Sequence, residues 1–382
     1  MRRVIKQLFA AAIAALLYVR SKCRKSSDEG PLRSVVVIAA IGLGNGIMAL
    51  PLLASLKAHD AAMRVTVLTN ASAAVIFRCT ATADDIVILA PTLMGRIRQC
   101  LALRKQRLDV CFLTFPTLAM PDELLPLFIG SRRNIAHDYR SIHPFFHHFR
   151  HLYAALVPLG EHLHDVEQNL RLLPQGVAAR KAYPSVRISA HARREAGRVL
   201  GGWEKGRGRL YALHPGGKRG ADYKRWPAQK FRQLADRLAA RGAGVVVLLG
   251  PDETELQALF QGPDLLPLSS SDLEIIIALL EKCHYFISND SGIMHVASLV
   301  DISQYTIYGA TNPRRNGAWG GRAVNIFKKD ISCRPCIHFI PGGAHLGCRQ
   351  ECLAELSVTE VWNAISAHQE EESRHESEFS RS

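Results

Sequence analysis

Ser288-Asn289-Asp290-Ser291-Gly292-Ile293-Met294-His295 is the stretch on which the reading of this chain turns. An apolar run, Tyr285 to Ile287, leads into it, and a helix-like run, Met294 to Val300, leads out. That is a strand, a tight polar turn and a helix start. The first amides of a helix lack internal partners and its dipole adds positive potential there, so the turn suits a phosphate. Asp290 and Ser291 are placed to cap, Gly292 to let backbone approach closely, and His295 to face the anion. Taken alone, the octet is an ordinary capped turn. Its surroundings change that.

Before it runs an alternating series. Tyr211 to His214 reads as a strand ended by Pro215-Gly216-Gly217. Trp226-Pro227 opens a helix with proline in its first turn, and Phe231, Leu234 and Leu238 give that helix an apolar face. Gly244 to Leu249 is the next strand, and Pro251-Asp252 starts another helix. Ser271-Asp272-Leu273-Glu274 has the pattern of a capping box opening a helix through Cys283. Tyr305 to Tyr308 follows the octet as a strand. In parallel sheets ligands bind beyond the carboxyl ends of the strands. The loops Pro215 to Arg225, Gly250 to Thr254 and Ser288 to His295 are therefore expected to converge on one phosphate-binding crevice.

An earlier series has the same character. Strands are expected at Ser34 to Ala40, Arg64 to Leu68, Ile86 to Leu89 and Val110 to Thr114. Helices fit at Ile47 to Ala58, Ala71 to Arg78 and Leu93 to Arg107, with Pro51 kinking the first or marking a late start. Gly42-x-Gly44-x-Gly46 looks like a dinucleotide fingerprint, but Ile47 stands where its third glycine belongs. The second strand also ends at Thr69-Asn70 with no acid for a ribose. Residues 131–164 read as a loop rich in Arg and His. Arg132, Arg133, Arg140, His143, His147, His148, Arg150 and His151 are available there to an anionic acceptor. Alternation of strand and helix on both sides of a Gly/Pro-bearing stretch, 175–190, predicts two α/β domains in tandem.

The chain has 382 residues, 48% of them apolar, and a formal net charge of +14. That composition is globular and excludes a disordered chain. Arg2, Arg3, Lys6, Arg20, Lys22, Arg24 and Lys25 flank a 12-residue apolar run, Leu8 to Val19, too short to span a bilayer. Residues 1–30 are read as a helix on an anionic membrane surface, with a frayed terminal helix as the alternative. No zinc-finger, RRM or basic-helix pattern supports nucleic acid as the partner. Cys23, Cys79, Cys100, Cys111 and Cys283 show no pairing logic, which fits a reducing compartment. Cys333-x-x-Cys336 and Cys348-x-x-x-Cys352 could together hold a structural zinc ion; a disulfide and free thiols stay open.

The full set of motifs resembles glycosyltransferase family 9, the heptosyltransferases of lipopolysaccharide core assembly. Gly44-Asn45-Gly46-Ile47-Met48-Ala49-Leu50-Pro51 is similar to the family's N-terminal Gly-Asp segment. His214-Pro215-Gly216-Gly217 with Lys224-Arg225-Trp226-Pro227 is similar to its central motif. Leu249-Gly250-Pro251-Asp252-Glu253, the octet, and Tyr308-Gly309-Ala310-Thr311-Asn312-Pro313 resemble the later ones. The resemblance covers about residues 34–365. It implies a GT-B fold, two Rossmann-like α/β domains with parallel sheets facing across a cleft. The expected layout is an acceptor-side domain at 31–180, a nucleotide-sugar domain at 190–366 and a polar, disordered tail at 367–382.

The resemblance also implies roles. Lys224 and His295 would stabilise the leaving diphosphate, and His214, Gly216, Gly217, Asp290, Ser291, Gly292, Ile293, Met294 and Thr311 would line the nucleotide-sugar site. Glu253 would accept from ribose hydroxyls. No cofactor is implied for catalysis. The implied donor is ADP-heptose and the acceptor a lipopolysaccharide core or related glycolipid, met in the cytoplasm at the inner-membrane surface. One position departs from the pattern. Asn45 stands where the family has the aspartate implied to be the general base, and an amide cannot take a proton near neutral pH. Asp122, His137 and Asp138 are the substitute bases to examine. The alternative reading is a nucleotide-sugar-binding pseudoenzyme or assembly partner.

Overall fold

The chain falls into two units, residues up to Ser185 and residues from Val186 on. The structure is a computed structural model that describes residues 32–117, 120–139, 153–320, 322–337 and 350–379. The basic and apolar segment read as a membrane helix lies outside the described residues.

In the first unit the strands are β1 (Ser34–Ala39), β2 (Arg64–Thr69), β3 (Asp85–Ile88), β4 (Val110–Leu113), β5 (Arg133–His137) and β6 (Ala155–Val157). They form one sheet in the order β3-β2-β1-β4-β5-β6, and every pairing is parallel. Valine and isoleucine runs with both faces covered suit such a sheet, and Val35, Val36 and Val37 are all fully buried. The chain reverses its winding between β1 and β4, so the loops after these strands flank the crevice of this sheet. The first helix is broken. Leu43–Met48 (α1) ends at Ala49, and Leu50–His59 (α2) begins with Pro51 in its first turn. Pro51 thus marks a late start, the second of the two outcomes expected. Helix α3 (Ala71–Thr80) packs close to α1. A Cβ on Gly46 would lie 2.6 Å from the Ala73 Cβ, which accounts for this glycine without any dinucleotide. The unit continues with α4 (Leu93–Arg104), α5 (Met120–Glu123), α6 (Leu125–Ile129) and α7 (Asp165–Leu170).

The loop expected at 131–164 is not all loop, since β5 and β6 lie within it. Arg133-Asn134-Ile135-Ala136-His137 lacks the β-branched run that marks a strand in sequence, yet it is buried between β4 and β6. His137 is fully buried, with its ring nitrogens 3.2 Å from Val157 O and 3.0 Å from Gln168 O. Arg140, His143, His147, His148, Arg150 and His151 lie outside the described residues.

The second unit carries α8 (Ala190–Leu200), β7 (Leu210–His214), α9 (Ala228–Ala239), β8 (Gly244–Leu249), β9 (Leu265–Ser269) and α10 (Leu273–Leu280). It ends with β10 (Tyr285–Asn289), α11 (Gly292–Ala297), β11 (Ser303–Ile307), α12 (Pro313–Asn316), β12 (Ala323–Ile326), α13 (Glu351–Ala354) and α14 (Val358–Phe379). The strand order is β12-β11-β10-β7-β8-β9, again all parallel. The reversal here lies between β7 and β10.

Two local expectations are corrected. Helix α10 is capped by Asp272, whose carboxylate accepts from Glu274 N and Ile275 N, and Glu274 accepts instead from Ser189 N at 2.7 Å. The tail expected to be disordered from 367 is helical as far as Phe379. Val361 and Ile365 bury one face of that helix. His368 lies 3.1 Å from Tyr305 Oη, Gln369 donates to Tyr211 Oη at 2.9 Å, and Glu372 accepts from Ser303. Polar residues on a helix read as solvated until a sheet edge supplies their partners.

Burial pushes the His137 pKa down to about 4. The neutral ring is the folded form, so stability is full above the ordinary histidine pKa and falls as the unfolded chain gains a proton below it. Unfolding titrations should show a loss of up to about 3 kcal/mol between about pH 6.5 and 4. That loss should be largely absent in His137→Gln, whatever its stability at neutral pH.

Candidate active site

Two consecutive residues at the end of β10 organise the second unit's crevice. Asn289 is completely buried. Its Oδ1 accepts from Trp226 N at 2.9 Å, and its Nδ2 donates to Pro215 O at 2.8 Å and Gly216 O at 3.1 Å. One amide thus ties the loop after β7 to the end of β10 at both ends of that loop. Trp226 anchors the far end by burial, with its ring edge-on to Phe231 and Nε1 donating to Leu356 O at 2.9 Å.

Asp290 holds the next layer. Its Oδ2 lies 2.7 Å from Lys224 Nζ and accepts from Thr311 Oγ1 at 2.6 Å. The Asp290 side chain is 3% exposed and that of Lys224 26%, so the ion pair is approached from the lysine's side. An ammonium has three donors, and Asp290 engages one of them. Lys224, Asp290 and Thr311 come from three loops that all leave carboxyl ends of the sheet, as convergence requires. Asp290 is therefore not a helix cap, and Ser291 at the N-cap makes no side-chain cap bond. Helix α11 has only six residues. Its dipole is correspondingly weak, and Lys224 adds a full positive charge at this edge.

Glu253 forms a second clamp. Its Oε1 accepts from Gly217 N at 2.6 Å and its Oε2 from Gly250 N at 2.7 Å. Gly216 makes room for it, since a Cβ there would sit 2.0 Å from the carboxylate. Each oxygen keeps a lone pair for a further donor. His214 is buried beside this carboxylate with Nδ1 3.0 Å from Leu248 O. Burial lowers its pKa, and the nearby Glu253 charge opposes that only in part.

Not every expected residue faces the crevice. Met294 is fully buried and its sulfur accepts from Tyr308 Oη at 3.1 Å, so it is a core residue. His295 is also buried on α11, whereas Ser291, Gly292 and Ile293 are half-buried. Two residues that matter were absent from the expected set. Asn289 sits inside the octet, and its Asn-Asp pairing at a strand end was the available signal. Arg334 gives no signal in sequence. Its Nε donates to Gly309 O at 2.6 Å, its Nη2 to Thr311 O at 3.3 Å, and its guanidinium lies 4.0 Å over the Phe327 ring. Together with Cys336 N and Ile337 N, which both donate to Ala310 O at 3.0 Å, it backs the loop that carries Thr311.

Of the four late cysteines, Cys333 is exposed, Cys336 half-buried and Cys352 buried, and Cys348 lies outside the described residues. Arg334 donates to Gly309 O, and Leu353, the neighbour of Cys352, lies against Gly309, so both halves of the motif border one loop. No metal-binding group of three or more His, Cys, Asp or Glu forms among the described residues.

In the first unit Asn45 is half-buried on α1, just after β1. None of the substitute bases is free at its side. The Asp122 carboxylate pairs with Arg96 at 2.5 Å, and the His137 ring is engaged with two carbonyls. Asp138 is half-buried at the end of β5. Glu123, not considered in sequence, is buried with no hydrogen-bond partner on either oxygen, and burial followed by the Asp122 charge pushes its pKa up to about 7.

The family profile of glycosyltransferase family 9 (heptosyltransferase) matches residues 122–340. The chain belongs to this family. It is thereby a glycosyltransferase. Lipopolysaccharide heptosyltransferase 1 of Pseudomonas aeruginosa is 32% identical over 120 residues, 30% of this chain and 33% of that protein. Lipooligosaccharide heptosyltransferase 2 of Campylobacter jejuni is 21% identical over 328 residues, 84% of this chain and 95% of the relative. Among solved structures, the Escherichia coli ADP-heptose lipopolysaccharide heptosyltransferase II superposes with a TM-score of 0.68 at 19% identity, covering 88% of this chain and 99% of that one. The paired six-stranded sheets are the GT-B architecture the motifs implied.

Asn289→Asp should be severely destabilising, because it sets a carboxylate against the Pro215 and Gly216 carbonyls in place of two donors. A loss of about 3 kcal/mol or more is expected in denaturant titration followed by tryptophan fluorescence. Asn289→Gln is expected to cost less than Asn289→Asp.

Proposed function

We propose that the chain transfers a heptose from ADP-heptose to a lipopolysaccharide core or related glycolipid, with inversion and with no metal in the transfer step. The observation that carries this is Lys224 held on Asp290 with Thr311, an ammonium aimed from a buried anchor at the carboxyl edge of the β7/β10 reversal. A diphosphate leaving group gains negative charge as the bond to the sugar breaks, and a preorganised ammonium in a half-buried site stabilises that charge more than water does. Asp290 keeps the lysine oriented before the donor arrives, so little reorganisation is left for the reaction. The glycine loop pinned by Glu253 and Asn289 would cradle the nucleotide.

In the transfer an acceptor oxygen attacks the anomeric carbon, the bond from that carbon to phosphate breaks, and the electron pair leaves with the nucleotide. The acceptor proton must go to a base on the acceptor side. Asn45 would hold the acceptor hydroxyl without taking its proton. The same residue favours a second reading, in which the protein binds the nucleotide-sugar and transfers it poorly or not at all. The four late cysteines would hold a structural metal that braces Arg334 and the Thr311 loop. Elemental analysis for zinc and iron on the purified chain, repeated on Cys352→Ser, tests that directly. The reaction would take place on the cytoplasmic face of the inner membrane.

Calorimetry with ADP, GDP and UDP should show that ADP binds best, and Lys224→Ala should weaken it about tenfold or more, the worth of one charge-assisted contact. Lack of binding by any of the three would remove the donor site. In transfer assays Asn45→Ala should lower kcat/KM for the acceptor about tenfold with ADP affinity unchanged. A large gain in Asn45→Asp would favour the binding-only reading of the native protein.

A further inference from the structure

Scattered apolar residues on a surface need no explanation, but clustered ones do. The large apolar side chains left exposed among the described residues are Ile88, Leu93, Met94 and Leu101, between 42% and 57% exposed, and all four fall within residues 88–101. They lie on the end of β3, an edge strand, and on α4. Cys100 and Leu103 form the buried face of that helix. On the opposite face Met94, Ile97, Arg98, Leu101 and Lys105 recur at helical spacing. A surface helix normally turns only polar residues outward.

Charge along α4 has one sign, and Asp84 and Asp85 at the far end of β3 are paired with Lys57 and Arg64. No Asp or Glu occurs from 86 to 108, and Arg96, Arg98, Arg104, Lys105 and Arg107 do. Asp122 neutralises Arg96. The surface is also rigid. Gln99 donates to Ile88 O at 2.8 Å and accepts from Ala90 N at 3.0 Å, Arg96 Nε donates to Ala90 O at 2.9 Å, and Thr92 caps α4 through Gly95 N. Ile88, Leu93 and Met94 are therefore presented together. They sit at the carboxyl edge of the sheet, the edge that also carries Asn45 after β1.

We propose that the outer face of α4 and the tip of β3 dock on an anionic lipid surface, with Leu93, Met94 and Leu101 in the acyl boundary and Arg98 and Lys105 at lipid phosphates. Long basic side chains beside apolar ones suit that boundary, because their stems lie in it while their charges reach the headgroups. Charge selects against the other occupants. A second copy meeting this face about a twofold axis would oppose like charges. Residues 1–31 are net positive, with Arg2, Arg3, Lys6, Arg20, Lys22, Arg24 and Lys25 against Asp28 and Glu29, so they too are a poor match for this face. The docking deepens the reading of a lipid-borne acceptor and rests on it for its purpose. Vesicle binding is measured without donor or acceptor, so either idea can fail alone.

The test is co-sedimentation of the full chain with vesicles of phosphatidylcholine alone or with about one third phosphatidylglycerol. Wild type should prefer the anionic vesicles about tenfold or more, and lose that preference as salt rises. Met94→Ser/Leu101→Ser and, separately, Arg98→Gln/Lys105→Gln should each lower the partition coefficient about tenfold. Melting temperature and ADP affinity should stay at wild-type values in both, which separates lost docking from lost folding. Equal partitioning of wild type into both vesicle types overturns the proposal. So do variants that sediment as well as wild type, and so does a shift of oligomeric state in the variants with vesicle binding intact.

Discussion

The Asn289 side-chain amide holds the second unit's functional edge together. A buried amide must satisfy one acceptor and two donors, and here it does so with three backbone groups of one loop. The loop after β7 has no regular structure at its start, so its path depends on such side-chain bonds. Trp226 buries the loop's far end, and Lys224, two residues before it, is delivered to Asp290. Remove the amide and Pro215 O, Gly216 O and Trp226 N are left buried and unmet, a cost far above that of an exposed hydrogen bond.

The neighbouring acids show how one residue type is used in two ways. Asp290 holds an ammonium and a hydroxyl, so it orients a charged group at the crevice. Glu253 accepts two backbone amides and thereby shapes the glycine loop. Gly216 is needed for that clamp, because any side chain would strike the carboxylate. Arg334 works from behind, on the carbonyls of the loop that presents Thr311. The second unit's crevice is thus built mostly from contacts to backbone, which fix geometry without consuming the lysine's remaining donors.

The first unit's crevice is organised differently. Asn45 is an amide and takes no proton near neutral pH, and the carboxyls and histidine near the β4 and β5 ends are buried or already paired. Glu123 is the one whose pKa, about 7, keeps it partly protonated at neutral pH. Apolar side chains gather at the tip of β3 and the start of α4, with basic ones along α4.

Sequence by itself determined the alternation of strand and helix, because valine runs and helix faces carry their period locally. It also determined the placing of Lys224, Asp290, Gly216 and Thr311, because the motifs that hold them are short and continuous. It could not assign their partners. That Asp290 holds Lys224 and Thr311, and does not cap α11, depends on three loops meeting from residues 224, 290 and 311. Strand β5 and the helical tail were hidden for a related reason. Arg133 to His137 and His368 to Glu372 are polar in composition, and only the neighbouring sheet supplies the carbonyls and hydroxyls that make burying or ordering them favourable. Local pattern records what a segment can do alone; hydrogen-bond satisfaction across distant segments is settled by the tertiary fold.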